Sequence, residues 1–148
     1  MAKVEPADGT FHRHWLALFL AWLVALSAML GALFLGEVMG IAPCVLCWYQ
    51  RIAMFPLVLI LSLGLLPFDA HSVRYALPLA GIGWVIALYH CLLYWGLLAK
   101  DLVPCGEGAA CGDLKATLFS FVSVPLLSLT AFSLILRLLF FVKRGALK

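Results

Sequence analysis

Residues 15–36 read WLALFLAWLVALSAMLGALFLG, without one Asp, Glu, Lys or Arg. A helix needs roughly 20 apolar residues to cross a hydrocarbon layer about 30 Å thick, so this run is long enough to span a membrane. Three more runs follow: Cys44 to Phe68, Tyr75 to Ala99, and Ala116 to about Val142. The third of the four is uncharged, the second contains only Arg51, and the fourth only Arg137. Backbone groups in lipid need internal partners, and these runs have helical length rather than the ~10-residue alternation of barrel strands. The sequence therefore predicts an all-α integral membrane protein: four transmembrane helices bundled into a single domain over residues 1–148.

Composition agrees. Across 148 residues, 66% are hydrophobic and 11% charged, too few polar side chains to cover a water-soluble domain of this size. The first run follows Lys3 and Arg13 as a secretory signal would, but it outlasts the roughly 7–15 apolar residues of such a signal and is read as an anchor. An even number of spans puts both termini on one side. Lys3, Arg13, Arg74, Arg137, Lys143, Arg144 and Lys148 lie toward that side, and Lys100 and Lys115 toward the other. Because Lys and Arg accumulate in cytoplasmic segments, both termini are predicted cytoplasmic. The outer loops are then residues 37–43 and 100–115, and the turn from Phe68 to Arg74 faces the cytoplasm. The expected location is the inner (cytoplasmic) membrane. The net charge of +3 comes with no basic stripe interleaved with aromatics, so no nucleic acid partner is expected.

There are five cysteines, and Cys44, Cys47, Cys105 and Cys111 fall in or beside the two outward segments. Disulfides persist outside the cytoplasm, whereas cytosolic thiols are kept reduced. Cys44 and Cys47 form C-V-L-C behind Pro43, which suits the first turn of a helix. Positions 44, 47 and 51 share a helical face, so both sulfurs meet the positive end of a helix and the Arg51 guanidinium. Each favours the thiolate, the form that exchanges disulfides. The second pair lies in LVPCGEGAACGDLK, residues 102–115, where three glycines weaken any helix and the charges keep the loop wet. Two cysteine pairs on one face of the membrane point to a relay of disulfide exchange. The alternatives are a non-catalytic membrane scaffold with structural disulfides and a cysteine-ligated metal protein. Metal is not expected, since C-x5-C is poor zinc spacing.

Arg51 lies about 10 Å down its helix, inside the outer leaflet. Intramembrane charges are expensive and signal function, with snorkelling to the headgroups as the competing explanation. Electrons leaving a dithiol need an acceptor, and the chain has neither a haem-binding C-x-x-C-H nor a pair of intramembrane histidines. A membrane-dissolved quinone is the natural one. Its oxygens gain negative charge on reduction, which Arg51 and Gln50 are suited to stabilise; His90 is a candidate donor of a proton or hydrogen bond, with a structural bond to a neighbouring helix as the alternative. Gly83, Ala87 and Cys91 recur every four residues as a stripe for close helix packing, giving Cys91 a structural role. Pro56 and Pro125 fall inside the predicted spans, leaving the carbonyls of Ile52 and Phe121 unpaired.

PCVLCWYQR, IAMFPL, ALYHCLL, VPCGEGAAC and SVPLLSLTAF together carry a resemblance that covers most of the chain. The sequence resembles the DsbB/BdbC family of membrane disulfide-bond formation proteins, in loop length its BdbC-like branch. The resemblance implies a protein-thiol:quinone oxidoreductase using ubiquinone or menaquinone. It implies a soluble thioredoxin-like oxidase of the DsbA/BdbD kind as partner. Cys105 would form the mixed disulfide with that partner, Cys111 would pass electrons to Cys44, and Cys47 would face the quinone with Arg51 beside the ring. The chain departs from the longer-loop branch in having only five residues between Cys105 and Cys111.

Overall fold

The computed structural model describes residues 8–40, 43–66, 68–69, 71–97, 117–118 and 122–146. Four long helices cross the molecule: α1 Asp8–Leu33, α2 Val45–Leu65, α3 Ser72–Tyr94 and α4 Val124–Ala146. Each is long and apolar enough to cross a membrane, and the chain is a multi-pass membrane protein with an all-α bundle. α1 packs on α2 and α4, and α3 packs on the same two, so the helices form a closed ring in sequence order.

Small side chains make that ring tight. Ala17, Ala21 and Ala25 on α1, and Ala76, Ala80 and Ala87 on α3, are buried at helical spacing. Larger side chains of the other two helices fill against them: Leu57 and Leu61 from α2, and Phe132, Ile135, Leu139 and Val142 from α4. Gly83 lies under the Phe132 ring, which a Cβ at that position would overlap. Together with buried Ala87 and Cys91, it forms the predicted small-residue stripe. Trp84 Nε1 donates to Ser133 Oγ at 2.9 Å, a polar tie between α3 and α4. The outer surface is the reverse of a soluble protein's: Leu59, Leu63, Ile82, Val85 and Phe140 are exposed, as lipid requires.

The helix ends differ from the sequence boundaries, and each difference has a local cause. The first helix starts earlier than Trp15 and continues past Leu33 as a π-helical turn, Phe34–Val38, into the predicted outer loop. α2 stops at Leu65 because Leu66, which precedes Pro67, is pushed to an extended conformation (φ −133°, ψ 91°). α3 stops five residues short of Ala99 at a Schellman motif. There Gly96, at φ 71°, donates to Leu93 O and Leu97 N donates to Leu92 O. The fourth helix begins at Val124, not Ala116; Thr117–Leu118 (β1) and Val122–Ser123 (β2) pair instead as a short antiparallel ladder. Pro125 therefore sits in a first turn, where its missing N–H costs nothing, and only Pro56 interrupts a helix among the two prolines singled out above.

Both termini of the described bundle lie at one end. Phe11 meets Phe68 of the α2–α3 turn at 5.1 Å between ring centroids, and His14 packs on Phe141 and Gly145. In that turn Asp69 accepts from the His71 backbone N–H and side chain, both at 2.8 Å, which holds its carboxyl below the usual range. The start of α2 and the end of α3 are at the opposite end.

Candidate active site

Cys44 is the N-cap of α2. Its backbone is extended (φ −68°, ψ 163°), and Cys47 N donates to its Sγ at 3.3 Å, the bond that a Ser or Asp oxygen makes in most caps. Pro43 accordingly precedes the cap rather than opening the first turn. One helical turn brings Cys47 over Cys44, with the two sulfurs 2.7 Å apart. Leu46 and Leu93 are buried beside them, and Ile86 and Tyr89 of α3 pack on the same cluster. Cys44 is buried and Cys47 only partly so.

α3 delivers His90, 4% exposed, to the sulfurs. Its Nε2 is 3.9 Å from Cys44 Sγ and its Nδ1 is 3.4 Å from Gln50 Nε2. Gln50 lies in the second turn of α2 and is itself buried. The imidazole is thus held between a thiol and an amide from one helix while belonging to another. His90 does not line the cavity described next.

That cavity, about 590 Å³, opens between α1, α2 and α4. Cys47, Gln50 and Arg51 form its polar end, Ser27, Ser128 and Thr130 also line it, and Leu23, Val24, Met29, Phe55, Leu127 and Leu134 supply apolar wall. Leu23, Leu127 and Leu134 are also 43%, 48% and 46% exposed, so the cavity gives onto the lipid-facing surface.

Arg51 is tied to α1 and to its own helix. Its Nη2 donates to Ala32 O on α1 at 2.5 Å, and the guanidinium lies over the Trp48 ring at 5.7 Å. The π-helical turn of α1 presents Gly36 to it, where a Cβ would stand 3.0 Å from Nη2. Arginine offers five N–H donors, so several remain for the cavity.

The structure brings together Cys44, Cys47, Gln50, Arg51 and His90. Cys105 and Cys111 lie outside the described residues, as does the expected loop of residues 100–115. Sequence reasoning did not single out Trp48, Ala32 or Gly36, the residues that fix Arg51. An alanine carbonyl and a glycine in apolar runs carry no signal of their own.

Known proteins match this chain over most of its length. A family model described as "Disulfide bond formation protein DsbB" matches residues 13–142. A "Probable disulfide formation protein" of Metapseudomonas resinovorans is 50% identical over 88% of this chain and 91% of its own. "Disulfide bond formation protein C" of Bacillus subtilis (strain 168) is 42% identical over 80% of this chain and 86% of its own. A "Probable disulfide formation protein" of Deinococcus radiodurans is 42% identical over 82% and 85%. No solved structure matches the chain.

Proposed function

The chain belongs to the DsbB family of disulfide bond formation proteins, and on that premise we propose that it draws two electrons from an extracytoplasmic dithiol protein and delivers them to a membrane quinone. Disulfide oxidoreduction is the role the family carries. The acceptor reading is carried by one observation: the cavity open to lipid has Cys47, Gln50 and Arg51 at its polar end, directly beside the Cys44–Cys47 pair. Its volume suits a small-molecule site, and its mixture of apolar wall with a few polar groups suits a quinone head.

A quinone supplies an acceptor for two electrons and two protons, leaving as quinol. Arg51 and Gln50 would hold the quinone by donating N–H bonds to its carbonyl oxygens, where negative charge develops on reduction. Cys47 is the sulfur on the cavity wall and would be the one in reach of a bound quinone. Cys44, buried behind it, would close the disulfide with Cys47 as the pair's two electrons pass to the bound quinone, with His90 placed to take the proton that Cys44 loses. The pair then accepts electrons from Cys111, and Cys105 exchanges with a soluble thioredoxin-like oxidase of the DsbA/BdbD kind. Overall, two protein thiols become one disulfide and the quinone gains both electrons and both protons.

The orientation follows from charge. Arg13, Arg74, Lys143 and Arg144 belong to the end that holds both described helix termini, which we read as cytoplasmic. The cysteine end then faces the periplasm or cell exterior, with the protein in the inner (cytoplasmic) membrane.

The decisive experiment is quinone reduction by the purified protein supplied with a reduced thioredoxin-like partner. Wild type turns over and Cys47→Ala does not; equal rates would end the proposal. With Cys111→Ala, a mixed disulfide between Cys105 and the partner accumulates. A chain that reduces quinone without forming any such adduct would overturn the relay while sparing the quinone site.

A further inference from the structure

Cys44 Sγ, Cys47 Sγ and His90 Nε2 all lie within 4.8 Å of one another. Two thiols and an imidazole nitrogen form a donor set suited to zinc and to softer thiophilic cations. The spacing of the cysteines along the chain did not foretell it, because the third donor arrives from α3. We propose that the reduced protein captures one thiophilic divalent cation, with Zn2+ as the test case, between these three atoms, and that capture stops electron transfer. Capture itself does not depend on the thiol:quinone reading; only its effect on turnover does.

Geometry favours the site. With Zn–S near 2.3 Å and Zn–N near 2.0 Å, a tetrahedral ion sets its ligands about 3.8 Å (S to S) and about 3.5 Å (S to N) apart. Cys44 and Cys47 stand at 2.7 Å and Cys44 and His90 at 3.9 Å, with Cys47 and His90 within 4.8 Å, so side-chain rotations that part the sulfurs by about 1 Å and draw the imidazole toward both would complete the cradle. The fourth position is left to water or a further donor.

The surroundings favour it too. A metal-bound histidine usually has its other ring nitrogen fixed by an outer partner, and the amide of Gln50 stands at His90 Nδ1, 3.4 Å away. With the amide oxygen turned to that nitrogen, Nδ1–H donates and Nε2 is left free to bind the ion. Burial calls for charge balance: two thiolates, a neutral imidazole and a divalent cation sum to zero, which a low-dielectric setting accepts. Arg51, the nearby cation, is drawn off toward Ala32 O and the Trp48 ring. Cys47 is partly exposed and one turn from the start of the α2 span, at the water-facing end of that helix, which gives the ion a way in.

The step balances simply. Two S–H bonds break, two S–Zn bonds form, and two protons leave to solvent with no change in oxidation state. A Cys44–Cys47 disulfide offers no thiolate, so the site exists only in the reduced state. The captured ion would hold both sulfurs and His90 away from disulfide exchange.

The test uses the full-length chain in detergent, carrying Cys105→Ser and Cys111→Ser so that the outer loop contributes no thiol. Zn2+ binding is read by competition with a chromogenic chelator. The reduced chain should bind one Zn2+, oxidation of Cys44–Cys47 should weaken binding at least 100-fold, and His90→Ala at least 10-fold. X-ray absorption of the Zn-loaded chain bearing native His90 should report two sulfur ligands and a histidine nitrogen, a reading that needs no folded His90 variant. No stoichiometric binding by the reduced chain, a His90→Ala affinity within 3-fold, or a shell without histidine nitrogen would each overturn the site. If Zn2+ binds as expected but leaves quinone reduction by the wild type unchanged, the claim of blocked turnover falls and the site stands.

Discussion

Cys44 Sγ and His90 Nε2 lie 3.9 Å apart although 46 positions separate them in the chain, one capping the start of α2 and the other near the end of α3. The cap fixes the sulfur through Cys47 N, and Gln50 engages the far side of the imidazole. His90 therefore addresses the buried sulfur, while Cys47 and Arg51 address the cavity.

That division predicts a kinetic split. In steady-state quinone reduction, His90→Ala lowers kcat about tenfold or more, since a positioned acid or base is commonly worth at least that much, and leaves the quinone KM within about 3-fold. A raised KM with unchanged kcat would instead assign His90 to the acceptor.

Arg51 is predicted to behave the other way. Arg51→Met keeps the apolar stem but removes the donors, and the quinone KM should rise at least tenfold, equivalent to about 1.4 kcal/mol of lost binding. Gly36→Val should mimic it while leaving every residue of the cavity's polar end unsubstituted, because even a Cβ at Gly36 would press on the Arg51 guanidinium. If Arg51→Met leaves KM unchanged, the arginine only ties α2 to the Ala32 carbonyl.

The fold was legible because four apolar runs of spanning length admit few arrangements in lipid. Their ends were less so: Gly96 stops α3 through a positive φ, and Pro125 starts a helix it was expected to interrupt. In the site, the Cys44, Cys47 and Arg51 relationship follows from spacing on one helix. The pairing of His90 with Cys44 depends on the axial register of α3 against α2, which no local spacing encodes. The same limit hid the Ala32 and Gly36 setting of Arg51 on α1, whereas Trp48, three residues before Arg51 on α2, was within reach of spacing alone.

Orientation is checked by labelling intact cells with a membrane-impermeant maleimide, in a chain otherwise free of cysteine. Leu97→Cys, exposed just past α3 at the cysteine end, should label from outside. Arg144→Cys, near the end of α4, should label only after permeabilisation. The opposite pattern would invert the topology and remove the periplasmic partner.

Packing between α3 and α4 offers a test of the fold that is read from stability and not from turnover. Gly83 gives Phe132 the space its ring occupies, and Phe132 is fully buried. Gly83→Ala forces the ring aside, an overpacking change that typically costs about 1–3 kcal/mol. Phe132→Leu alone opens space and also destabilises. Combined, the added methyl enters the room the ring vacated, so the double variant should be more stable than the sum of the two losses by about 1 kcal/mol or more. Unfolding in detergent, followed by helical circular dichroism, measures all four corners of the cycle. Additive losses would mean that the ring is not seated on Gly83, and the close approach of α3 to α4 would have to rest on other contacts.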